Sequence, residues 1–141
     1  MSPLPEVSDL ILHRGPALLL DRIVDLSSTR CLAHVHVAPG AWYLQADGTA
    51  PAWVGLEWMA QAASAFSGHR HRLAGRKLRI GFLLGTRSFE ALVPSFPAGA
   101  DLEVQAETFF QDDSGVGAFN CELRHRGQTL ARARLKAIEL P

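Results

Sequence analysis

One stretch limits the choice of fold more than any other: Pro51 to Gly68, PAWVGLEWMAQAASAFSG, in which Glu57 is the only charge. Ala, Trp, Val, Leu, Met and Phe fill most of its positions. Pro51 stands where a first helical turn tolerates proline, and Gly68 stands where helices commonly stop. The stretch therefore predicts a long, buried helix. Its polar residues Glu57, Gln61 and Ser64 follow an i, i+4, i+7 spacing and share one stripe of the helix surface. A solvent-facing stripe of this length normally carries Lys or Arg as well. Its lack of cations favours the wall of a pocket, with a thin wet face of an ordinary amphipathic helix as the alternative.

The chain has 141 residues, 48% hydrophobic and 20% charged, which suits a single packed domain spanning 1–141. Lys plus Arg number 14 and Asp plus Glu number 14, so nothing in the balance calls for nucleic acid or an anionic membrane. Cys31 and Cys121 lie far apart without a Cys-x-x-Cys pattern, as expected of reduced, buried thiols. The N-terminal MSPLPEVSDL lacks a basic stretch followed by an apolar run, and no window approaches the ~20 apolar residues of a membrane span. A cytoplasmic protein is the expectation. Small molecules or proteins remain as partners, and no cofactor or metal is implied.

Ser8 or Asp9 is expected to cap a short turn or an extended arm. After the Gly15-Pro16 turn, Ala17 to Leu26 reads as a strand, and the alternating Arg30 to Ala38 as its hairpin partner. The predicted helix follows a loop with turn signals at Pro39, Gly40 and Asp47-Gly48. The basic run from His69 to Arg79 complements a helix C-terminus, with an acidic-partner site as the lesser reading. Strands are then predicted from Ile80 to about Phe89, Leu102 to Phe110, Val116 to His125 and Thr129 to Ile138, with a turn at Asp112-Asp113-Ser114-Gly115. One long apolar helix early in an antiparallel chain implies an α+β fold in which a sheet curves around that helix.

Two stretches, His13-Arg14-Gly15-Pro16-Ala17-Leu18-Leu19-Leu20-Asp21-Arg22 and Pro51 to Ala62, together resemble the hot dog fold dehydratases that act on 3-hydroxyacyl thioesters of acyl carrier protein. The first is similar to that family's His-Arg-x-Pro-x-Leu-Leu opening. The second is similar to its Pro-Gly helix entry followed by Glu-x-Met-Ala-Gln-Ala, and Phe96 to Leu102 resembles the turn before its fourth strand. The chain departs where the family carries its catalytic His, since that position falls on Tyr43, and Ala52 replaces the helix-entry Gly. Trp53-Val54-Gly55-Leu56-Glu57 and Phe82-Leu83-Leu84-Gly85-Thr86-Arg87 resemble the shortened dehydratase-like proteins of aryl polyene gene clusters.

The resemblance implies a hot dog fold of about five or six strands around the helix, and a homodimer or heterodimer paired across a sheet edge. It also implies a substrate on acyl carrier protein or coenzyme A, in fatty acid or aryl polyene synthesis. Glu57, among Trp, Leu and Met, is expected to be poorly solvated, which favours the protonated form that can donate to a departing hydroxyl. Backbone N–H groups at the helix entry, around Ala52, are candidates to hold the thioester oxygen. Gln61 is expected to orient Glu57 or a water. For the base, His13 is the candidate within the chain, against a structural role in backbone hydrogen bonding, and a partner subunit is the other source. Tyr43, a weak base at neutral pH, is assigned substrate positioning or packing. An Asx turn accounts for Asp47. His34 and His36, with no nearby Cys or carboxylate partner to complete a ligand set, read as a solvated strand face rather than a metal site. Thioester hydrolysis and a non-catalytic acyl-carrier or partner-binding subunit are the competing functions.

Overall fold

A computed structural model describes residues 3–112 and 114–140. Strand β1 (Arg22–Leu26) and β2 (Arg30–His36) form the expected hairpin; β3 (Thr49–Pro51) leads directly into helix α1 (Ala52–Leu73). Then come β4 (Gly81–Ala91), β5 (Ser95–Pro97), β6 (Asp101–Gln111), β7 (Val116–His125) and β8 (Gln128–Glu139). Six strands make one antiparallel sheet in the order β1-β2-β6-β7-β8-β4, and β3 pairs with β5 in a separate two-stranded ribbon. This is the arrangement that the resemblance implied.

Alternation along the strands explains how the sheet holds the helix. Leu102, Val104 and Ala106 of β6, Phe119, Cys121 and Leu123 of β7, and Ala131, Ala133 and Leu135 of β8 all point inward and are buried. They meet Val54, Trp58, Met59, Ala62, Ala65 and Phe66 of α1. Gly55 belongs to this contact: a Cβ there would sit 2.9 Å from both the Phe96 ring and a Leu123 methyl.

Two boundaries differ from those predicted, each for a physical reason. The helix does not stop at Gly68 but runs to Leu73, with Arg70, His71 and Arg72 in its last turn. Gly68 is glycine because the N-terminal arm crosses it: an added Cβ would lie 1.9 Å from the Leu10 carbonyl oxygen. The first strand begins at Arg22 rather than Ala17, because Gln61 of the helix takes the backbone hydrogen bonds of Ala17 and Leu19. At the N-terminus, Val7–Asp9 forms a 3-10 turn whose N-cap is Glu6, not Ser8 or Asp9, and Asp9 accepts from the Glu6 N–H at 3.1 Å. In the turn after β6, Asp112 accepts from the Ser114 and Val116 N–H groups, while Asp113 lies outside the described residues.

β4 is an open edge of the large sheet and is bulged at two places. Phe82, Leu83 and Leu84 are all exposed along it, with Phe82 at 51%, and Ile80 just before it is exposed as well.

Candidate active site

The polar stripe of α1 borders a cavity of about 350 Å³. Glu57, Ser64, Ser67 and His71 line its helix side, β4 closes it with Gly81, Phe82 and Leu83, and the sheet contributes Phe119, Leu135 and Ala137. The volume falls in the range of sites for small ligands. Gln61 of the predicted stripe does not line it; it is 1% exposed and turned toward the N-terminal segment.

Glu57 stands at one end. Gln61 donates through Nε2 to Glu57 Oε1 at 3.0 Å and to the Ala17 carbonyl at 2.7 Å, while its Oε1 accepts from the Leu19 N–H at 2.9 Å. The amide thereby uses both donors and an acceptor to fix the carboxyl and the segment that follows Pro16. The expected poor solvation of Glu57 is not found in the single chain: 42% of its side chain is exposed, because the stripe faces the cavity instead of packed core.

His13 Nε2 lies 3.8 Å from Glu57 Oε1, and both residues line the cavity. Its Nδ1 is buried without a hydrogen-bond partner among the described residues. Arg14 shapes this turn by donating to the carbonyls of Ser8, Ile11 and His13 at 2.7–2.8 Å.

The other sequence candidates are placed elsewhere. Ala52 is the first residue of α1, preceded by an extended Pro51 N-cap with no side-chain cap. Tyr43 packs edge-on against Trp58 and Trp42, with ring centroids 5.9 and 5.6 Å away, outside the cavity that holds Glu57. Burial, then the Asp21 charge, pushes the Tyr43 phenol up, which leaves even less phenolate to act as a base at neutral pH. Asp47 makes the expected Asx turn, accepting from the Thr49 N–H at 3.0 Å and its hydroxyl at 2.6 Å.

His34 and His36 do have a carboxylate partner, contrary to the sequence reading. Asp101 Oδ1 lies 3.1 Å from His34 Nε2 and 2.9 Å from His36 Nδ1, because β6 brings Asp101 opposite His36. Hydrogen bonding from His36 is the main cause that holds the Asp101 carboxyl below the usual carboxylate range. Among the described residues, no group of three or more His, Cys, Asp or Glu is arranged to hold a metal ion. Among them, too, no helix is long and apolar enough to cross a membrane. Cys31 and Cys121 are free and buried.

Sequence reading missed the pair at the opposite end of the cavity, where His71 Nε2 and Glu139 Oε2 lie 2.7 Å apart. A signal existed, since His71 continues the spacing of Glu57 and Ser64 by another seven residues. Ending the helix at Gly68 concealed it.

A family model described as ApeP-like, ApeP dehydratase, matches residues 5–141. No curated protein matches the chain by sequence. Among solved structures, the dehydratase heterocomplex ApeI:P from Xenorhabdus doucetiae is similar at 28% identity and a TM-score of 0.94, over 99% of this chain and 93% of that one. The PaaI protein of the phenylacetic acid degradation operon of E. coli is 14% identical with a TM-score of 0.66, over 82% and 80% of the two chains. A hypothetical thioesterase with coenzyme A from Streptococcus pneumoniae TIGR4 is 12% identical with a TM-score of 0.65, over 84% of each. The last two share the fold alone, which is the hot dog fold.

Proposed function

Because the chain belongs to the ApeP-like family of dehydratases, we propose that it removes water from a 3-hydroxyacyl thioester carried on an acyl carrier protein, with Glu57 as the acid. The observation that carries this is the Glu57 carboxyl at the end of an apolar-walled cavity, held by Gln61 and 3.8 Å from an imidazole. In the elimination a base takes the α-proton, its electron pair forms the α,β double bond, and the C–O bond breaks as Glu57 protonates the departing hydroxyl to water. For the developing charge on the thioester oxygen, the candidate donors are the N–H groups at the start of α1, near Ala52, although that first turn does not itself line the cavity of the single chain. His13 is the base this chain offers. Gln61 is a positioning residue: it holds the Glu57 carboxyl by one oxygen.

We further infer that the working unit pairs this chain with a second hot dog subunit along β4. The bare, apolar edge at Phe82, Leu83 and Leu84 supports that pairing, as does the likeness to a structure that is itself a heterocomplex.

The test supplies 3-hydroxyacyl thioesters of acyl carrier protein and of coenzyme A to the chain alone and to the chain with its co-purified subunit, and records enoyl product against free thiol. Enoyl formation lost in Glu57→Gln and in His13→Ala supports the assignment. Enoyl formation that survives His13→Ala moves the base to the other subunit. Thiol release without enoyl product would replace dehydration by hydrolysis, and silence in every arm would leave a binding subunit.

A further inference from the structure

Three arginines gather where α1 ends and the chain turns toward β4. Arg70 belongs to the last helical turn, Ala74 caps it, and Gly75 (φ +71) takes the left-handed conformation that reverses the chain. The Arg76 N–H then donates to the His71 carbonyl at 2.8 Å, which ties the segment before β4 back to the helix. Arg70, Arg76 and Arg79 thereby line one pocket of about 300 Å³, closed on the other side by the β6–β7 turn at Gly115, Val116 and Gly117. All three arginines are exposed.

A cation in the last turn complements the helix dipole, which accounts for Arg70. It does not account for Arg76 and Arg79, because that effect fades beyond the last turn. Among the described residues, the ion pairs made by arginine belong to Arg30, Arg72 and Arg124 and not to these three. Two carboxyls border the same pocket, and both are engaged: Asp112 by the N–H groups of Ser114 and Val116 and the Ser114 hydroxyl, Glu139 by His71. The helix C-terminus adds roughly half a negative charge, less than any one guanidinium offsets. The three guanidiniums keep donors to spare, in the planar geometry that matches a phosphate.

This pocket adjoins the cavity that holds Glu57, since Ser67, His71, Ala137 and Glu139 border both. Arg70 is thirteen residues beyond Glu57, ~20 Å along the helix axis. The pantetheine arm common to coenzyme A and carrier proteins joins its sulfur to its phosphate through about thirteen bonds, a reach of ~16 Å at ~3.6 Å per three bonds. An extended arginine side chain covers the remainder. Between the two ends, Ser64 and Ser67 put hydroxyls on an otherwise mostly apolar wall, which suits an arm with two amides better than a plain alkyl chain.

We propose that Arg70, Arg76 and Arg79 form a phosphate site for the far end of the pantetheine arm, so that the arm lies along the cavity and the acyl group stays at its Glu57 end. The proposal rests on the dehydratase reading of that cavity.

The test gives the purified assembly one 3-hydroxyacyl group on two arms, pantetheine and phosphopantetheine, which differ only in the phosphate. kcat/KM is expected to favour the phosphorylated arm by about tenfold. In an Arg76→Gln, Arg79→Gln variant the two arms are expected to be used equally. Arg72→Gln with Lys77→Gln, basic neighbours outside the pocket, is expected to keep the preference. Equal kcat/KM on both arms in the wild type, a preference that survives the first variant, or one that is lost in the second, overturns the proposal. Thioesters of coenzyme A and of carrier protein then identify the source of the phosphate, by which of them loses more kcat/KM in the first variant; a loss with neither also overturns it. Calorimetry with the two free arms needs no variant: inorganic phosphate is expected to compete with phosphopantetheine and not with pantetheine. Such competition without enoyl product from either thioester keeps the phosphate site and removes the dehydratase assignment, whereas enoyl product with no preference between the arms does the reverse.

Discussion

Gln61 joins a structural role to the one proposed for it in the reaction. Replacing it by Leu leaves the Ala17 carbonyl and the Leu19 N–H without their partners and frees Glu57 to rotate. A loss of about 1–3 kcal/mol in unfolding free energy is expected, read from denaturant melts, together with a fall in kcat. Glu57→Gln keeps the size of the side chain and removes the acid, so elimination is expected to slow by roughly a hundredfold or more with little change in melting temperature. The two thiols make a test of pH. Burial pushes Cys31 and Cys121 up to about 12 from 9.0, with the Asp25 charge adding to the shift at Cys31. Above 9.0 the unfolded chain loses thiol protons that the folded chain keeps, so this contribution is fully present below that value and is lost as pH rises toward about 12. Melts across that window should show a steeper alkaline decline for the wild type than for a Cys31→Ala, Cys121→Ala double variant.

The long helix and the strands β6, β7 and β8 were legible from residue pattern, because their period is set by burial on one face. The ends of elements were not, because long-range competition sets them. Ala17 to Leu20 has the apolar character of a strand, but a glutamine 42 or 44 residues away takes its hydrogen bonds. Gly68 has the position of a terminator, but a carbonyl from the N-terminal arm demands it. Gly68→Ala tests this directly. Since Ala favours helices and the blocking atom is backbone, any gain in helix propensity is outweighed by displacement of the arm, and a loss of about 1–3 kcal/mol is expected in thermal or denaturant melts. β3 and β5 escaped notice because each is three residues long with proline at one end, which no periodicity can reveal.

At the level of the whole chain, the motifs around His13 and Glu57 pointed to a site whose two side chains the fold does bring together, although 44 residues separate them. The His71–Glu139 pair was hidden for the opposite reason: its members come from the helix end and the last strand, and each looks ordinary where it stands. Association should follow β4. Phe82→Glu places a charge on the apolar edge and is expected to convert the assembled species to the single chain in sedimentation, while far-UV circular dichroism stays unchanged. β4 also has a second duty, because Gly81, Phe82 and Leu83 wall the cavity from the same strand that forms the rim. A neighbour docked against that rim would lean on the cavity wall, so exchanging one neighbour for another is expected to retune which cargo fits without altering a single residue of this chain.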